Sequence, residues 1–168
     1  MASWRAARPA GPLSAFGLAI IVAVVVIDQV SKAIAEAGLP IGETIDVLPI
    51  LTLYRVYNTG IAFSFLAGLG PNVLIGVTVA VSAIVVVFWA RARDGGLIAT
   101  AGFAFILGGA LGNLIDRLRF GYVIDFLLLH VGDRTLFVFN LADAALTLGP
   151  LLLILAYMFP AAEAPRER

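Results

Sequence analysis

Long apolar runs alternate with shorter polar intervals along the chain. The first run, about 13–34, carries no charge until Asp28. The second, 72–90, reads NVLIGVTVAVSAIVVVFWA and stops at RARDGG. The third, 95–115, reads GGLIATAGFAFILGGALGNLI and stops at DRLR, and the fourth, about 136–159, is followed by PAAEAPRER. Each is near the roughly 20 residues that a helix needs to cross a bilayer core. Backbone groups in lipid must be satisfied within the segment, so runs this long and unbroken predict helices rather than short alternating barrel strands. The expected fold is therefore an all-α membrane protein with four transmembrane helices, forming one integral membrane domain over residues 1–168.

The intervals differ in kind. RARDGG is a tight basic turn, whereas 38–71 and 116–135 are long and polar, and LTLYRVYN within the first of these predicts a short interfacial strand. Two spans separate the long intervals, so both lie on one side of the membrane, with both termini and RARDGG on the other. Basic residues divide six (Arg5, Arg8, Arg91, Arg93, Arg166, Arg168) against five (Lys32, Arg55, Arg117, Arg119, Arg134), which barely discriminates. Arg5 and Arg8 precede the first span with no acid nearby, and this places the termini in the cytoplasm and the long intervals outside. The N-terminus imitates a secretory signal ending at AIA (33–35), but Asp28 and Lys32 interrupt it, so an uncleaved first helix is expected.

Composition agrees with a membrane location. Of 168 residues, 61% are hydrophobic and only 13% charged, against about half and a quarter in a soluble domain. A net charge of zero implies no nucleic acid or other polyelectrolyte partner. The absence of cysteine excludes disulfides, thiolate chemistry and iron–sulfur sites.

Against this background the polar residues beside the spans stand out. Asp28 and Lys32 in DQVSK are four apart on one helix face, which suits an internal ion pair. A base-activated Ser31 is rejected, because adjacent helical residues point about a hundred degrees apart, although Ser64 offers a distant serine. In YNTGIAFSF, Asn58 and Gly60 precede the second span, where a turn entering the membrane explains them as well as a site does. In GGALGNLIDRL, Gly108 and Gly112 form a small-xxx-small pair that predicts close helix packing. Asn113, Asp116 and Arg117 share one face there and suggest a polar cavity. Asp125 lies in YVIDF, and Asp143 opens the fourth span in FNLAD. A carboxylate within a span costs about 2.5–3.5 kcal/mol at mid-helix and less near the interface, so Asp143 needs a reason. Helix capping or a salt bridge to Arg117 is one. The other is a pair with Asp125: two carboxylates in a poorly solvated site share a proton, so one can activate water while the other donates to a carbonyl oxygen. That chemistry needs no metal, and the single histidine, His130, is expected in a loop without an HExxH partner.

Five motifs, DQVSK, NTGIAFS, GNLIDR, VIDF and FNLAD, stand in this order over about 28–143. Together they resemble the lipoprotein signal peptidases, the type II signal peptidases of bacteria. The resemblance implies an aspartic intramembrane endopeptidase, without cofactor, that removes signal peptides from prolipoproteins just before a diacylglyceryl-modified cysteine. It implies action at the outer face of the bacterial cytoplasmic (inner) membrane, with diacylated prolipoproteins and membrane lipids as partners; nothing in the sequence requires more than a monomer. It assigns Asp125 and Asp143 as the catalytic dyad, and Asn58, Gly60, Asn113, Arg117 and Asn140 to the substrate pocket. Asp28, Lys32 and Asp116 take supporting roles. It further implies a small extracytoplasmic β-cradle over 38–56 and a lid loop within 116–135. On the residues alone, the alternatives are a small proton- or solute-coupled transporter and a membrane scaffold whose charges merely pair off.

Overall fold

The computed structural model describes residues 8–60 and 70–158; the IAFS of NTGIAFS, Ser64 included, and both tail segments lie outside them. Four helices, α1 (Ala15–Gly38), α2 (Pro71–Arg91), α3 (Gly96–Phe120) and α4 (Leu141–Met158), are each long and apolar enough to cross a membrane. Their ends follow from local chemistry. Ser14 caps α1 by accepting from the Gly17 N–H at 3.2 Å, and Pro71 starts α2 where its missing N–H costs nothing. Gly121, with φ of +81°, ends α3 in the left-handed conformation that an L side chain disfavours.

The all-α expectation needs correction. Between the helices lie β1 (Thr44–Leu48), β2 (Leu51–Asn58), β3 (Val123–Val131) and β4 (Arg134–Phe139), which form one antiparallel sheet in the order β1-β2-β3-β4. The strand expected at LTLYRVYN is β2, and β1 joins it within the interval assigned to a cradle. The region expected to hold a lid is the last turn of α3 followed by β3. The fourth span begins at Leu141 rather than near 136, because RTLFVF belongs to β4. Apolar residues in that strand pair across a sheet instead of facing lipid, which hydropathy alone does not distinguish. His130 likewise sits in β3, not in a loop. Pairing of β2 with β3 brings the two long intervals together on one side of the helices.

α3 is the central helix. Most of it is buried, while α1, α2 and α4 direct large apolar side chains such as Val26, Phe88 and Leu155 outward, as a lipid-facing surface requires. Small residues let its neighbours approach. Gly108 and Gly112 both face α1: a Cβ on Gly108 would lie 2.8 Å from Val24, and one on Gly112 would lie 2.6 Å from Asp28 Oδ2. The opposite side of α3 meets α4 through Gly102 and Gly149, where a Cβ on Gly149 would lie 2.7 Å from the Gly102 carbonyl oxygen. At the far end from the sheet, Trp89 stacks on Phe103 at 5.8 Å and donates to the Ala10 carbonyl at 2.7 Å, which ties the N-terminal segment to α2 and α3.

Candidate active site

Asp125 stands in β3, whose first four residues are all buried, and it is itself only 2% exposed. The β2–β3 register aligns Val56 with Asp125 and Asn58 with Val123. Asn58 and Asp125 are therefore diagonal neighbours on one sheet face. A bulge between Leu53 and Val56 inserts an extra β2 residue just before this pairing. Without it the alternation would turn Asn58 to the other face. As built, Asn58 Nδ2 donates to Asp125 Oδ2 at 2.9 Å. Asn58 Oδ1 in turn accepts the Gly60 N–H at 2.9 Å, and Arg117 Nη2 holds the Gly60 carbonyl at 2.8 Å.

Asp143 is in the first turn of α4 and is fixed by a reciprocal cap. Asn140 Oδ1 accepts the Asp143 N–H at 2.9 Å, and Asp143 Oδ2 accepts the Asn140 N–H at 3.2 Å. Capping, one of the alternatives for Asp143, is thus realised. A salt bridge to Arg117 is not, since both ion pairs among the described residues belong to Lys32. The other Asp143 oxygen, Oδ1, accepts from Asn113 Nδ2 at 2.8 Å.

Asn140 joins the two carboxylates. Its side-chain amide donates to Asp125 Oδ1 at 2.6 Å while its backbone N–H and carbonyl oxygen-bearing side chain hold Asp143. Burial pushes the Asp125 carboxyl up to about 7, the negative charge of Asp143 adds to that push, and the Asn58 and Asn140 amides and the Lys32 ammonium pull the other way. At neutral pH Asp125 is therefore poised between its protonated and ionised forms.

Behind this pair lies a second polar cluster. Lys32 Nζ sits 2.8 Å from Asp28, 2.9 Å from Asp116 and 3.1 Å from Asn113 Oδ1, so Asn113 links the two clusters. Ser31 Oγ donates to the Asp28 carbonyl and takes no part. All ten residues to which the resemblance gives a role converge on this region. Gln29, to which it gives none, converges with them: its amide reaches both Asp28 and Asp116. The available signal was an amide placed beside Asp28 near the end of an otherwise apolar run.

A cavity of about 880 Å³ opens between α2, α3, α4 and β4. Its walls are apolar, with Val81, Ile106 and Leu151 among them, and Asn58, Asn113, Arg117 and Asp143 form its polar end. Asp143 faces this space directly, whereas Asp125 adjoins it through Asn58.

The signal peptidase (SPase) II family model matches residues 20–159. The lipoprotein signal peptidase of Mesorhizobium japonicum is 45% identical over 135 residues, covering 80% of each chain. That of Sinorhizobium fredii is 47% identical over 144 residues, covering 86% of this chain and 84% of its own. That of Brucella ovis is 46% identical over 138 residues, covering 82% and 86%. Two bacterial membrane enzymes solved by the in meso method share the fold. The one at 2.3 Å has a TM-score of 0.81 and 28% identity over 97% of this chain and 98% of that one. The one at 1.9 Å has a TM-score of 0.77 and 30% identity over 89% and 95%. These relatives decide for a hydrolase over a transporter or a scaffold: the chain belongs to the signal peptidase II family, the aspartic-type lipoprotein signal peptidases of bacterial membranes.

Proposed function

We propose that this protein cleaves diacylglyceryl-modified prolipoproteins just before the lipidated cysteine, with Asp125 and Asp143 as the reacting pair. The observation that carries the reading is the pair itself: a buried and a half-buried carboxylate from distant segments held by one asparagine, with Asp143 at the polar end of an apolar cavity. In the proposed reaction the pair holds one proton. The ionised member takes a proton from water as the water oxygen attacks the scissile carbonyl carbon. The protonated member donates to the carbonyl oxygen; the tetrahedral intermediate then collapses with cleavage of the C–N bond as the nitrogen takes the proton drawn from water and the other member recovers its proton from the intermediate's hydroxyl. Apparent pKa values then belong to the pair rather than to either residue.

The cavity suits a lipid-anchored substrate. Its apolar walls accept the signal helix and acyl chains, while the lipidated cysteine keeps the scissile bond level with Asp143. This reading puts the sheet and the pair at the outer face of the cytoplasmic membrane, with both termini in the cytoplasm and the enzyme acting as a monomer. Asn58, Gly60, Asn113, Arg117 and Asn140 line or organise the substrate pocket.

The test is cleavage in proteoliposomes of a precursor carrying the diacylated cysteine, compared with the same precursor unmodified and with products identified by mass. Cleavage of the unmodified form is expected to fall at least ~100-fold, the scale of losing positional restraint at the reacting bond. Equal cleavage of both would remove the lipid from the recognition model. A second expectation concerns pH. Asn58 holds the Asp125 carboxyl down, so Asn58→Leu should move the alkaline fall of kcat/KM to higher pH. A shift to lower pH, or none, would contradict the assigned contact.

A further inference from the structure

The cluster behind the pair has an arrangement that charge neutralisation alone does not require. Asp116 Oδ2 accepts the backbone N–H of Ile124 at 3.1 Å, the residue immediately before Asp125. Asp28 Oδ1 accepts the backbone N–H of Ala142 at 2.9 Å, the residue immediately before Asp143. Each rear aspartate thus grips the chain one residue ahead of a front one. Lys32 bridges the two rear carboxylates, but one ammonium cannot satisfy all four of their oxygens. Gln29 supplies the rest: its Nε2 lies 2.7 Å from Asp116 Oδ1, 3.3 Å from Asp28 Oδ2 and 3.2 Å from the Gly112 carbonyl. Asp116 Oδ1 has no other hydrogen-bond partner among the described residues, and Asp116 is only 1% exposed.

We propose that Gln29 is a positioning residue for the reaction, holding Asp116 and Asp28 so that their grips on Ile124 and Ala142 set the separation of the Asp125 and Asp143 backbones. The inference rests on the reading of Asp125 and Asp143 as the reacting pair. A neutral amide suits the position: it donates to two carboxylates without adding a charge. Without it, Asp116 Oδ1 is buried and unpaired, and the carboxylate can regain a partner only by turning, which releases the Ile124 N–H. The charged and polar groups around the amide are Asp28 and Lys32 from α1 and Asn113 and Asp116 from α3, with the backbone N–H groups of Ile124 and Ala142 completing the cluster.

Two variants test this on the lipidated precursor in proteoliposomes. Gln29→Met keeps the length and removes the donor, so kcat should fall about tenfold to a hundredfold, the scale of a sub-ångström to 1 Å misplacement, with KM little changed. Gln29→Glu can donate to Asp116 only while the introduced carboxyl is protonated. Its kcat relative to wild type should therefore be low at about pH 8 and recover at about pH 5.5, whereas the Gln29→Met deficit stays constant across that range. A purely structural role would lower the yield of folded protein and give no such recovery, and thermal melting in detergent reports that yield separately. Wild-type kcat in Gln29→Met, or a Gln29→Glu deficit that does not change with pH, would overturn the proposal. Turnover retained by Asp125→Asn or Asp143→Asn would instead overturn the underlying assignment of the pair, whatever Gln29 does.

Discussion

Asp125→Asn and Asp143→Asn are each expected to lower cleavage of a lipidated precursor by about 10³-fold, within the range set by loss of general acid–base catalysis. At position 143 an asparagine can accept from Asn113 or from the Asn140 N–H but not from both, while the backbone N–H of residue 143 still donates to Asn140 Oδ1, so that half of the cap survives as the proton-accepting group is lost. At position 125 two amides, Asn58 and Asn140, donate to the carboxylate. An asparagine there accepts from one and opposes the other, unless one neighbour turns. Stability should nevertheless respond in the opposite direction to activity. The Asp125 carboxyl is raised from 3.8 to about 7, which corresponds to a cost on the order of 4 kcal/mol for holding it ionised in the folded protein. Because the folded value is raised, that cost is absent below about pH 4, grows through the interval and is complete above about pH 7. Asp125→Asn should therefore raise the melting temperature in detergent more at pH 8 than at pH 5. A variant with near-wild-type turnover would remove that residue from the pair, and a melting gain larger at pH 5 would contradict the assigned burial cost.

Lys32→Met is expected to have the largest effect on the fold. It leaves Asp28, 0% exposed, and Asp116, 1% exposed, without a counter-ion. Breaking a buried pair from one side costs about 3–5 kcal/mol, far more than the pair contributes relative to an apolar replacement. The consequence should be low yield and a strongly lowered melting temperature, partly recovered when Asp28→Asn and Asp116→Asn are added, without recovery of cleavage. Lys32→Arg should rescue poorly, because the acceptors surround a point charge and a planar guanidinium cannot face all three. Unchanged melting of Lys32→Met would mean that the cluster is not a structural keystone.

The four spans were legible because their signal is additive: about twenty consecutive apolar residues leave few alternatives to a crossing helix. Their edges near the sheet were less so. RTLFVF looks like the start of a span by hydropathy, yet it is β4, because pairing with β3 depends on residues far away in sequence. The same reason hid β3, whose apolar VIDFLLL gives no alternation to read. Candidate site residues were visible as polar groups out of place beside lipid, and motif order tied Asp125 to Asp143. What periodicity could not supply was the second layer. That Asp116 reaches the Ile124 N–H, and Asp28 the Ala142 N–H, follows from how α1, β3 and α4 meet around α3. Likewise Gly112 was legible as a small residue for packing, but not as the space the Asp28 carboxylate occupies.

The central claim is that Asp125 and Asp143 act as one unit on a lipid-anchored peptide bond. It is tested most directly by single-turnover cleavage of the diacylated precursor in proteoliposomes by wild type, Asp125→Asn, Asp143→Asn and the double variant. If the two carboxylates share one proton in one reaction, either single substitution removes nearly all the rate and the double variant loses little more. Losses that multiply, or a single variant that still cleaves near the wild-type rate, would contradict the pair.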